Sequence, residues 1–149
     1  MEMLDSCQLA YIAGFFDGEG CIFPHIPDGA VHLVISNTKT QTIYEIQKRL
    51  GGSIKHYKKT NKPEEKTVYQ WGIYNQKGCL NALKRLYPYL IQKKEQAGIA
   101  IELLEGIPKG IRGGHNPELR IKEMERRKPL LAKLKYMNKK GTGRRKEEQ

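Results

Sequence analysis

Apolar and polar positions alternate along the chain in two rhythms, a helical repeat of three to four residues and a strand repeat of two. Residues 7–17 read as a first helix, with Asp5 or Ser6 available as its N-cap. Residues 21–26 and 30–36 read as strands joined by a turn at Pro27-Asp28-Gly29. Ile43, Ile46 and Leu50 then recur at helical spacing across residues 40–50, and Gly51-Gly52 is a stop signal. Residues 53–59 and 67–74 alternate as a second strand pair around a polar loop, residues 60–66. Residues 79–87 and 91–104 predict two further helices separated by Pro88. The order α-β-β-α-β-β-α-α predicts a two-layer α+β unit, with helices on one side of four antiparallel strands and the other side open.

Strand alternation also predicts what that open side carries. On the second pair the outward set is Ser53, Lys55, Tyr57 and Lys59, then Val68, Gln70 and Gly72; Tyr69, Trp71 and Ile73 face the helices and enter the core. On the first pair Cys21, Phe23 and His25 share the outward face, a more apolar set in which Phe23 fits least well. Residues 106–117 are too rich in glycine and proline for a helix and read as a connector. Beyond it, charges of both signs alternate with Leu119, Ile121, Leu130, Leu131 and Leu134. This predicts a basic helix, or a helix pair interrupted near Pro129, ending in a solvated, partly disordered stretch at residues 139–149.

Charge narrows the partner. The 149 residues carry a formal charge of +11, which points to a polyanion, most simply nucleic acid, although a membrane surface or ribosomal RNA has the same sign requirement. Residues 118–149 hold 12 basic and 5 acidic side chains, so +7 of the total sits in the tail. Three cysteines without CxxC spacing, Cys7, Cys21 and Cys79, argue against a disulfide framework or zinc site and for reduced thiols in an intracellular protein. No basic-then-apolar leader opens the chain and no apolar run is long enough to span a bilayer, so a soluble protein of a cytoplasm or organelle matrix is expected. His32, His56 and His115 lack ligand spacing, and no phosphate-binding glycine loop, dinucleotide fingerprint or serine-nucleophile motif occurs.

The first helix is unusual. Ala10, Gly14 and Gly18 recur every four residues on one face, where missing side chains let two helix backbones approach closely. Two helical glycines cost roughly 1 kcal/mol each relative to alanine, so close contact or function must need them. A packing seam inside the chain's own core and a surface reserved for function both fit that spacing. Asp17-Gly18-Glu19-Gly20, two carboxylates among glycines where the helix must give way to a strand, favours function.

The segment Leu9-Ala10-Tyr11-Ile12-Ala13-Gly14-Phe15-Phe16-Asp17-Gly18-Glu19-Gly20 resembles the signature of the LAGLIDADG homing endonucleases. Family-like features follow in order. Ile35-Ser36-Asn37-Thr38-Lys39-Thr40 precedes an amphipathic helix ending in Leu50-Gly51-Gly52, Tyr69-Gln70-Trp71 lies in a later strand, and Pro88-Tyr89-Leu90-Ile91-Gln92-Lys93-Lys94-Glu95-Gln96-Ala97 closes the pattern. The resemblance spans roughly residues 8–105 and contains one copy of the signature, half of a symmetric pair.

It implies an αββαββα core over residues 1–105 with a saddle-like four-stranded antiparallel sheet, followed by the connector and the basic helical extension. It further implies a homodimer joined through Ala10, Tyr11, Gly14, Asp17 and Gly18, hydrolysing both strands of a long, pseudo-palindromic double-stranded DNA site. Glu19 and the Gly18 carbonyl are the implied ligands of Mg²⁺, with Mn²⁺ as a substitute and Ca²⁺ supporting binding without cleavage. Glutamate stands at Glu19 where many relatives have aspartate, which keeps the charge and lengthens the arm. Lys93 matches the family's active-site lysine, with Lys94 one register away, and Asp17 is implied to tie helix ends together. Asn37 or Thr38 occupies the place of a glutamine that orients the water pocket in relatives. DNA contacts are expected from His25, Lys39, Ser53, Lys55, Tyr57, Lys59 and Gln70, with Lys139 and Lys140 gripping phosphates from the tail. The alternative on the same fold is a non-cleaving binder, either a DNA-binding regulator or an RNA-splicing maturase whose partner is RNA.

Overall fold

Both hairpins place their alternating apolar residues on one side of a shared sheet, and the helices collect there. The computed structural model describes residues 2–108, 111 and 116–141. The elements are α1 (Glu2–Glu19), β1 (Gly20–His25), β2 (Ala30–Asn37), α2 (Thr40–Leu50), β3 (Ser53–Tyr57), β4 (Val68–Ile73), α3 (Gln76–Leu86), α4 (Lys94–Glu105) and α5 (Pro117–Gly141). Short 3-10 turns occupy Ile26–Asp28 and Tyr87–Tyr89. The sheet is antiparallel with strand order β1-β2-β4-β3, as the αββαββα reading requires.

Ile22 of β1, Leu33 and Ile35 of β2, and Trp71 and Ile73 of β4 are fully buried against Phe16 of α1, Ile43 and Ile46 of α2, Leu83 and Leu86 of α3, and Leu103 of α4. Trp71 also donates its ring N–H to the Gly51 carbonyl at 2.7 Å, locking the α2–β3 connection to the core. Gly51 and Gly52 have φ of 74° and 89°. A Cβ at Gly52 would lie 2.7 Å from the Gly72 carbonyl, so the stop signal after α2 is also a site of close backbone approach.

Several boundaries differ from the sequence reading. The first helix begins at Glu2 rather than residue 7, so Asp5 and Ser6 lie inside it and do not cap it. The strand expected over residues 53–59 ends at Tyr57 and leaves Lys59 in the following loop, which closes on itself through a 2.7 Å bond from the Thr60 hydroxyl to Glu65. Helix α3 starts three residues early because Asn75 caps it, accepting the Gly78 N–H at 2.7 Å. Helix α4 starts late, at Lys94.

The largest difference is α5. Of the two alternatives, a single helix or a pair interrupted near Pro129, the single helix is found: 25 residues continue through that proline. It is held in place on both sides of it. Leu131 and Leu134 enter the main core, Arg126 donates to the Leu103 carbonyl of α4 at 2.8 Å, and Arg127 donates to the Gly29 carbonyl at 3.2 Å. Buried Glu123 joins the two arginines at 2.6 and 2.8 Å. Burial pushes its carboxyl up, but hydrogen bonds and charge from Arg126 and Arg127 outweigh this and hold it below the usual range. Asn138 donates to the Ile22 carbonyl at 2.9 Å, so α5 also covers the outer edge of β1. Residues 139–141 remain helical, whereas the rest of the end expected to be disordered lies outside the described residues.

If α5 is part of the core, Leu134→Ala should lower stability by about 2–5 kcal/mol, as for a fully buried leucine. Urea denaturation followed by tryptophan fluorescence measures this, because Trp71 reports on the sheet. A loss below about 0.5 kcal/mol would mean that α5 is an appendage.

Candidate nucleic-acid interface and active site

The end of α1 is built around Asp17. Its carboxylate accepts the backbone N–H groups of Ile91 at 2.8 Å, Gln92 at 3.2 Å and Lys93 at 2.9 Å. This explains the late start of α4, since residues 91–93 are held by α1 instead of winding into the helix. Lys93 reciprocates by donating from Nζ to the Asp17 carbonyl at 2.5 Å. Lys94 turns away, its Nζ lying 5.1 Å from the Tyr87 ring centroid. Of the two lysines weighed from sequence, Lys93 is therefore the one beside Gly18 and Glu19.

Gly18 and Glu19 are both exposed. They occupy the C-terminal end of a helix, where carbonyl oxygens lack intrahelical donors and the peptide dipoles leave negative potential. A carboxylate beside such carbonyls is a hard oxygen donor set, suited to Mg²⁺ or Ca²⁺ and ill suited to zinc. Among the described residues no group of three or more His, Cys, Asp or Glu side chains gathers to hold a metal ion. Cys21 lies close by: burial raises its thiol pKa, and the positive charge of Lys93 partly offsets that. Register sets Gly20 opposite Ile35, so Asn37 and Thr38 lie at the same end of the sheet as Glu19. The Asn37 side-chain oxygen accepts the Lys39 N–H at 2.8 Å, and Thr38 is exposed in the turn between them.

The small-residue stripe is unspent within the chain. Leu9, Ile12, Ala13 and Phe16 take the buried face of α1, while Ala10, Gly14 and Gly18 are exposed and Tyr11 is 65% exposed. A Cβ at Gly14 or Gly18 would meet no atom within 4 Å. The chain's own core therefore does not require these glycines, and the internal-seam reading falls.

The open face of the sheet starts at the same point. Register pairs Ser53 with Gly72, Lys55 with Gln70, and Tyr57 with Val68 across β3 and β4. Ser53, Lys55 and Tyr57 are exposed and Gln70 is half-buried; Val68, expected outward, is buried. On β1, Phe23 is half exposed, despite being the least expected residue of its set. His25 stacks on His32 of β2 with centroids 4.6 Å apart, and His32 meets Tyr74 edge-on at 5.1 Å. Lys39 is exposed in the turn before α2, and Lys59 in the β3–β4 loop. Lys139 is exposed near the end of α5, and the Lys140 side chain lies outside the described residues.

Two face residues escaped the sequence reading as candidates. His32 was weighed only as a metal ligand, and Tyr74 sits one step beyond the outward series Val68, Gln70, Gly72, where the same period would have found it. A cleft of about 520 Å³, lined in part by Tyr74, Gln76, Arg120 and Arg127, lies at the far end of the sheet from Glu19 and takes no part in this constellation.

The helix ends in exposed glycine and glutamate and leads into a sheet with one open face. The chain belongs to the LAGLIDADG family: residues 6–87 match the LAGLIDADG-like domain. Among solved structures, the homing endonuclease I-CvuI bound to its target in the presence of Ca is 21% identical, with 93% of this chain and 96% of that one covered and a TM-score of 0.61. An archaeal intron-encoded homing endonuclease, I-Vdi141I, complexed with DNA, is 22% identical, with 99% and 91% covered and a TM-score of 0.65. A comparison with curated proteins finds no sequence match. Among the described residues no helix is long and apolar enough to cross a membrane.

Asp17→Asn should lower stability by about 1–3 kcal/mol, because an amide accepts the three N–H groups of residues 91–93 more weakly and brings donors of its own. Differential scanning calorimetry tests this, with an unchanged melting temperature as the contrary result.

Proposed function

We propose that this chain is a site-specific homing endonuclease. It works as a homodimer and hydrolyses phosphodiester bonds on both strands of a long, pseudo-palindromic DNA duplex with the help of a divalent metal. One observation carries the reading: the unspent stripe of Ala10, Gly14 and Gly18 leads directly to exposed Glu19, with Lys93 beside it and the bare sheet face beginning at the next residue. Two stripes packed together about a two-fold axis bring two Glu19 carboxylates close, a repulsion that cations relieve. The DNA-bound structures of I-CvuI and I-Vdi141I support duplex DNA as the partner. Ca in one I-CvuI complex and Mg in another support a divalent ion, with Mn²⁺ as a substitute.

The division of labour follows from the residues. Glu19 and the Gly18 carbonyl would hold Mg²⁺, which would supply Lewis-acid activation of water and charge stabilisation at the phosphate. Lys93, steered by the Asp17 carbonyl, directs its ammonium at the scissile phosphate and offsets the charge that grows there. Lys55, Gln70, Ser53 and Tyr57 read base edges from the β3–β4 ribbon, which fits the major groove. His25 reads from β1, Lys39 and Lys59 contact the flanking backbone, and Lys139 and Lys140 add phosphate contacts from α5.

One observation favours the non-cleaving alternative, a DNA regulator or RNA maturase. The Asn37 oxygen at the water-pocket position is engaged by the Lys39 N–H, leaving Thr38 to order water there.

Glu19→Gln separates the two. The variant should bind its DNA site as tightly as wild type, or more tightly, and lose single-turnover cleavage in Mg²⁺ by several orders of magnitude, roughly 10³-fold or more. Cleavage at the wild-type rate would remove Glu19 from the mechanism, and no cleavage by the wild type in Mg²⁺ or Mn²⁺ on a randomised-site library would favour the binder.

Gly14→Leu tests the dimer. Because nothing outside its own helix lies near a Gly14 Cβ within one chain, the variant should still fold cooperatively, as a monomer, while its sedimentation coefficient falls to that of a single chain. A wild type that is strictly monomeric, both free and on DNA, would remove the symmetric model.

A further inference from the structure

Tyr74 has no role in the proposed function, yet its ring touches both halves of the open face. The tip of the ring lies over Gly72, where an added Cβ would fall inside van der Waals contact with the tyrosine hydroxyl and ring edge. The absent side chain of Gly72 thus forms a slot on the surface of β4, and Tyr74 fills it. From the β3 side, Lys55 Nζ lies 5.3 Å from the ring centroid. From the β2 side, His32 meets the ring at 84°, and behind it His25 and Phe23 stack at 4.6 and 6.5 Å. The aromatic row therefore runs across the sheet from β1 to Lys55 on β3.

We propose that Tyr74 is a positioning residue for sequence recognition, fixing Lys55 and His32 together so that their base preferences are set as a pair. The inference rests on the reading of this face as the DNA-recognition surface. A lysine ammonium on a four-carbon stem samples several base edges and discriminates poorly among them; held over an aromatic ring, it gives up that freedom before DNA arrives. The edge-on contact likewise fixes the plane of the His32 imidazole, and a ring nitrogen reads a base edge only in a defined plane. Losing either neighbour loosens the Tyr74 ring over Gly72 and with it the hold on the other neighbour.

The experiment measures base-preference profiles of the full-length protein on a randomised duplex library in Ca²⁺. Tyr74→Leu and Gly72→Ala, the second of which displaces the ring without removing it, should each lose preference by about three- to tenfold at the base pairs that Lys55→Ala and His32→Ala affect singly. Tyr74→Phe should keep the wild-type profile, since the hydroxyl is not needed for either ring contact. The Lys55→Ala/His32→Ala double variant leaves Tyr74 and Gly72 in place and serves even if the other variants fail to fold. Its loss should be smaller than the product of the two single losses. Wild-type profiles from folded Tyr74→Leu and Gly72→Ala proteins, or a double loss equal to the product, would overturn the proposal while leaving DNA reading intact. A wild type that selects no sequence sinks both.

Discussion

The Asp17 carboxylate is the constraint on which the Glu19 end of the sheet depends. It gathers three N–H groups from a segment more than seventy residues away, and Lys93 returns a bond to the carbonyl of the same residue. The joint is reciprocal, so neither α1 nor α4 can shift without breaking both halves. Because β1 begins at Gly20, immediately after Glu19, the same joint fixes where the sheet starts relative to the carboxylate. Position and charge at this point follow from ordinary backbone hydrogen bonding, with one ionised acceptor supplying the strength.

Helix α1 is divided between two tasks by its faces. One face completes the core with Leu9, Ile12, Ala13 and Phe16; the other keeps Ala10, Gly14 and Gly18 bare and contributes nothing to the folding of the single chain. Under the proposed function, the cost of helical glycine is offset in the dimer contact, where function and stability compete for the same residues.

Element order, the buried face of α2 and, Val68 apart, the outward alternation of β3 and β4 were legible because each is a local pattern of period 3.6 or 2. Trp71 in the core and Lys55 beside Gln70 on the open face follow from the same alternation. Site chemistry was legible only through the resemblance of residues 9–20 to a family signature, since one Asp and one Glu among glycines specify no reaction. What escaped depends on distant partners. Continuity of α5 through Pro129 requires the carbonyls of Leu103 and Gly29 and the core seats of Leu131 and Leu134, none of which is adjacent in sequence. Choosing between Lys93 and Lys94 required knowing where the end of α1 lies, and the role of Gly72 required the ring of Tyr74 above it.

The Glu123 cluster couples the two ends of the molecule. Arg126 reaches the end of α4, Arg127 reaches the turn between β1 and β2, and one buried carboxylate binds both. Since Lys93 at the opposite end of α4 is tied to Asp17, the outer tip of the open face and the Glu19 end belong to one braced frame. Under the proposed function, a duplex laid along that face meets a surface that does not hinge to follow it. The elastic work of fitting then falls on the DNA, and steps that bend or untwist easily are favoured even where no side chain touches them.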